Sequence, residues 1–112
     1  MQGINLPPHS VEAEQSVLGG LMLANDAWED VSALLSESDF YLAAHRAIFK
    51  ALASLAVQQK PFDVLTMAET LKASNQLHTL GGESFLFELA RNTPSAANIL
   101  AYAEIVREKS VL

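Results

Sequence analysis

Apolar residues recur along this chain at intervals of three and four, the spacing that lines one side of an α-helix. Nowhere do they alternate with period two over a strand length. Pro7 and Pro8 hold the chain extended up to Ser10, whose hydroxyl suits a first-turn amide. From Ser10 onward Val11, Val17, Leu18, Leu21 and Met22 give one apolar side, with Glu12 and Glu14 facing the positive end of the helix dipole. Asp26 and Glu29 make a capping-box spacing ahead of Trp28, Val31, Leu34 and Leu35, which predicts a second helix. Ala44, Ile48, Phe49, Leu52, Leu55 and Ala56 predict a third over 42–58, expected to be the central one.

Lys60-Pro61-Phe62-Asp63 ends that third helix, and Asp63 is placed to cap a fourth carrying Val64, Leu65, Ala68 and Leu71 as far as Ser74 or Asn75. Gly81-Gly82 precedes a short fifth helix with Phe85, Leu86, Leu89 and Ala90, in which Glu88 and Arg91 form an exposed pair. Asn92-Thr93-Pro94 stops it. The last helix, from about Ser95 or Asn98, carries Ile99, Tyr102, Ala103 and Val106 on one stripe and Leu100, Ile105, Val111 and Leu112 on another side, more apolar surface than one core needs. The expected fold is all-α, a bundle of about six helices over 10–112 behind an extended arm over 1–9.

Composition narrows the function. The chain has 112 residues, half of them hydrophobic, which is one domain with one core. It has no cysteine, so neither a disulfide framework nor a thiolate metal site is open to it. Thirteen acidic against seven basic residues give a net charge of −6, and the cations stand singly along the chain, which argues against a nucleic-acid-binding module. No apolar run reaches the length of a membrane span, and no signal peptide precedes the first helix.

Candidate chemistry is sparse. Neither Gly19-Gly20 nor Gly81-Gly82 belongs to a GxxxxGK[ST] phosphate cradle; inside a helix, Gly19-Gly20 reads as a place where another helix comes close. His9, His45 and His78 lie on different elements with no metal-ligand spacing, and His45 reads as a hydrogen-bonded imidazole organising a loop. The acidic pairs Glu12 and Glu14, Glu29 and Asp30, and Glu37 and Asp39 fall at helix ends or turns, where solvation and the dipole account for them. No catalytic or metal residue is expected. Phe85, beside the glycine pair, reads either as a partner anchor or as a core residue, and Trp28 reads as packed under the second helix.

The diproline and Ser10 entry, Asp39-Phe40-Tyr41, Ala44-His45-Arg46, Pro61-Phe62-Asp63, Gly81-Gly82 and Asn92-Thr93-Pro94-Ser95-Ala96-Ala97-Asn98 occur in this order over nearly the whole chain. In this the chain resembles the amino-terminal domain of bacterial DnaB-type replicative DNA helicases. Glu83, where some relatives are apolar, and the apolar Leu42-Ala43-Ala44 depart from the pattern. The resemblance implies a domain for self-association in the collar of a hexameric ring and for docking the carboxy-terminal helicase-binding domain of primase, with a helicase loader as a further partner. Phe85, Tyr102, Ile105 and Val106 are the expected contact residues, and a dimer is expected in isolation.

The resemblance further implies that the last helix begins a helical hairpin cut off at Leu112. It assigns ATP, Mg and DNA contact to a RecA-like motor outside these residues, so no cofactor, enzyme activity or membrane contact is expected here, and the location is cytoplasmic. A helical adaptor of another protein without a motor is the rival reading.

Overall fold

In the computed structural model, residues 9–112 are described, and the diproline and all of the expected arm except His9 lie outside them. Among the described residues there are seven α-helices and no strand: α1 (Val11–Leu23), α2 (Trp28–Leu34), α3 (Ala43–Val57), α4 (Val64–Ala73), α5 (Leu77–Leu80), α6 (Glu83–Arg91) and α7 (Ile99–Ser110). Short 3-10 turns, Asn25–Ala27, Glu37–Asp39 and Ala96–Asn98, lead into or between them. The all-α bundle agrees with the periodicity. The extra helix is α5, a single turn too short to carry a periodic signal.

The helix ends follow the local chemistry. The Ser10 hydroxyl accepts from the Ala13 amide at 3.2 Å, and Asp63 with Thr66 closes a capping box at the start of α4. Asp26 caps nothing; the neighbouring Asn25 instead ties α1 to the turn before α4, donating to the Leu21 and Phe62 carbonyls and accepting from the Phe62 amide at 2.8 Å. Gln59, Asn75 and Gly81 take the left-handed conformation just past α3, α4 and α5. In each case the next amide reaches back five residues, to Leu55, Leu71 and Leu77.

The axis of the fold is α1, not α3. It packs on α7, α6 and α3, and every residue from Ser16 to Met22 is buried. The apolar side read from the sequence is real, but the opposite side is covered too, because Gly19 and Gly20 let the α6 to α7 segment lie directly on the α1 backbone. A side chain at Gly19 would run into the Thr93 hydroxyl and the Leu89 carbonyl, and one at Gly20 would touch Ile99 Cδ1 at 3.0 Å. The expected close approach is therefore present. At the other end of the core, Trp28 packs against Phe49 and Phe62 with centroid distances of 5.1 and 5.7 Å, and Phe40 meets Phe49 at 5.0 Å.

Candidate interaction surface and the polar clasp behind it

The segment 36–42 between α2 and α3 has little regular structure, and side chains from three helices hold it. Glu14 on α1 is buried at 2% exposure. Its Oε1 accepts from His45 Nδ1–H at 2.7 Å and its Oε2 from the Tyr41 amide at 2.7 Å. Arg46 donates to the carbonyls of Phe40 and Tyr41 at 2.9 and 2.6 Å. Asp39, also buried, accepts from the Ser36 amide at 2.8 Å, from Arg107 on α7 at 2.9 Å and from the Ser110 hydroxyl. His9 stacks on the Tyr41 ring with centroids 3.9 Å apart. The buried side-chain nitrogens and oxygens of the described residues all have partners.

His45 is thus the loop-organising imidazole expected of it. Glu14 and Asp39 are not the solvated carboxylates expected of them. Glu14 shares a helical stripe with Leu18 and Leu21, four and seven positions on, which carries it into the core despite its place in the first turn. Burial alone raises the Glu14 carboxyl; the His45 hydrogen bond and charge with the Tyr41 and Leu42 amides outweigh it and hold the group below its ordinary 4.5. Burial raises Asp39 in the same way, and Ser110, the Ser36 amide and Arg107 bring it below its ordinary 3.8.

Both carboxyls therefore bind protons less tightly folded than unfolded, and stability rises with pH wherever the unfolded chain holds the extra protons. Their contribution is whole above the ordinary values and drains away as pH falls through the lowered ones. Urea midpoints measured from pH 7 down to pH 3 are expected to hold steady and then fall below about pH 5. A midpoint unchanged down to pH 3 would rule out the clasp as a source of stability.

On the outer surface, the four expected contact residues separate. Val106 is 2% exposed and belongs to the core with Ile99 and Ala103, which corrects its placement at a contact: it shares the inward stripe of α7. Tyr102 is half-buried against the core, and Ile105 is 38% exposed, beside the exposed Leu100, Val111 and Leu112. Phe85 is half-buried, packed on the core at a small recess shared with Gln15 and Leu89. The exposed aromatic of α6 is Phe87, at 57%. Its spacing was informative: two residues from the buried Leu89 is roughly 200° around a helix, the far side. Arg91 pairs with Glu88 in the open, as expected.

Among the described residues no group of three or more His, Asp or Glu side chains is placed to hold a metal, and no helix is long and apolar enough to cross a membrane.

Residues 6–108 match the family model of the DnaB-like helicase N-terminal domain. The chain is 49% identical over 111 residues to the replicative DNA helicase DnaB of Pasteurella multocida, covering 99% of this chain and 24% of that protein. It is 49% identical over 107 residues to the replicative DNA helicase DnaB of Geobacillus stearothermophilus, covering 96% of this chain and 24% of that protein. The chain therefore spans about a quarter of the length of these curated relatives.

Among solved structures it superposes on the N-terminal domain of DnaB helicase from Mycobacterium tuberculosis with a TM-score of 0.91 and 40% identity, over 95% of this chain and 76% of that one. It also superposes on the N-terminal domain of DnaB helicase from Helicobacter pylori, described with its interactions with primase, with a TM-score of 0.76 and 28% identity, over 89% of this chain and 77% of that one.

Proposed function

As the chain belongs to the DnaB-like helicase N-terminal domain family, we propose that it is the protein-interaction and oligomerisation domain of a replicative DNA helicase. In this reading it forms part of the collar of a hexameric ring and docks the carboxy-terminal helicase-binding domain of primase, so that priming stays beside unwinding. A helicase loader is a further partner, and the assembly works in the cytoplasm. ATP, Mg and DNA belong to the motor of the longer protein, and this domain contributes contacts only.

The observation that carries the reading is the outward side of α7. Ile99, Ala103 and Val106 satisfy the core, yet Leu100, Ile105, Val111 and Leu112 remain 42, 38, 61 and 81% exposed. Exposed apolar side chains on a helix already packed by its other side, and just past its end, suit a second helix. Tyr102, half-buried between the two sides, forms the edge of that contact. On α6, Phe85 and the more exposed Phe87 are the aromatic anchors proposed for primase.

Sedimentation tests both halves of the proposal. The chain alone is expected to form a concentration-dependent dimer, and Ile105→Asp to shift it towards monomer with helical circular dichroism retained. A mixture with the carboxy-terminal domain of the cognate primase is expected to sediment faster than either component. A concentration-independent monomer that ignores the primase domain would overturn the reading.

A further inference from the structure

We infer that the cleft between α3 and the carboxy-terminal half of α4 receives a short helix with acidic flanks, supplied by a partner protein. The cleft encloses about 510 Å³. Short side chains line it: Ala47, Ala51 and Ser54, at successive positions along one flank of α3, and Ala73 from the facing α4. Short side chains at such intervals leave a trough that runs along the helix axis, the shape into which the ridge of a third helix fits.

The rim gives the partner its charge. Three of the seven cations are committed elsewhere: Arg46 to the Phe40 and Tyr41 carbonyls, Arg91 to Glu88, Arg107 to Asp39. Lys50 on α3 and Lys60 just past its end both line this cleft and enter none of the ion pairs among the described residues. The single carboxylate on the rim, Glu69, is paired with Lys72 at 3.5 Å. On a chain of net charge −6, this trough therefore carries two ammonium groups in excess. Carboxylates flanking an apolar ridge complement it.

A nucleic acid fits less well. Two cations release too few counterions to hold a phosphate backbone against the acidic remainder, and the cleft has no aromatic side chain on which a base would stack. The site is also separate from α7, so occupying it is compatible with the self-association proposed above.

The probe is a capped four-turn peptide with Leu and Ala on one side and Glu on both flanks, titrated into the isotope-labelled chain and followed by amide chemical shifts. Saturable shifts are expected over 47–58 and 69–76 and on no other surface. Lys50→Glu with Lys60→Glu is expected to weaken binding at least tenfold. Ala73→Trp, an exposed substitution that fills the trough, is expected to abolish it at unchanged melting temperature. Equal binding by the same peptide with Lys for Glu, stronger shifts of these amides by a single-stranded oligonucleotide, shifts elsewhere, or no saturation at millimolar peptide would each overturn the proposal.

Discussion

Glu14→Ala is expected to destabilise the domain by about 3 kcal/mol, whereas Glu12→Ala, one residue-pair earlier in the same helical turn, is expected to change it by no more than a few tenths. Glu12 is exposed and feels only the helix dipole. Glu14 is the common partner of the buried His45 ring and the part-buried Tyr41 amide, so removing it strands two donors, one of them in the core. In a domain of this size the loss corresponds to a fall in melting temperature of about 10–20 °C. Glu14→Gln keeps an acceptor without the charge and should fall between the two. If Glu14→Ala and Glu12→Ala melt within a degree or two of each other, the clasp contributes nothing and the dipole explains both residues.

Gly19→Val is expected to cost a further large amount, about 3 kcal/mol, against a trend that by helix propensity alone runs the other way. Replacing a mid-helix glycine normally gains up to about 1 kcal/mol. Here the added Cβ would enter the space of the Thr93 hydroxyl and the Leu89 backbone, with the Leu89 carbonyl carbon at 3.0 Å, and backbone held by its own helix yields little. Gly20→Ala separates the two effects. Its Cβ meets only the Ile99 side chain, tightest at the terminal Cδ1, so the propensity gain and a small crowding cost should nearly cancel. Chemical denaturation of the pair gives the answer: a stabilised Gly19→Val would mean that α6 and α7 do not lie on α1 as described.

The sequence made helices legible wherever the periodic face exceeded two turns, and caps legible at Ser10 and Asp63, where side chain and backbone bond within a few residues. What it hid was decided by tertiary contact. The all-round burial of α1 depends on where α6 and α7 land, and Gly19-Gly20 announced a close neighbour without naming it. Glu14 and Asp39 carry the ordinary marks of first-turn and loop acids, and only partners 31 and 68 residues away, His45 and Arg107, make them interior groups. Lys50 and Lys60 read as isolated cations because the cleft they line exists only where α3 and α4 pack side by side. Nearness to the glycine pair points to Phe85, whereas helical geometry turns Phe87, two residues from the buried Leu89, outward.

That α1 rests chiefly on α6 and α7 also sets a timetable for the chain during synthesis. Of the helices described, the first to leave the ribosome is the one whose cover is made last. Until α6 and α7 emerge, α1 lacks most of its cover, and the glycine pair is without the segment that packs on it. Contacts between the two ends of a sequence add loop-closure entropy that no earlier contact offsets. A nascent chain halted before Val106 therefore presents an apolar helix to chaperones and proteases, and the core closes in one late step rather than growing helix by helix.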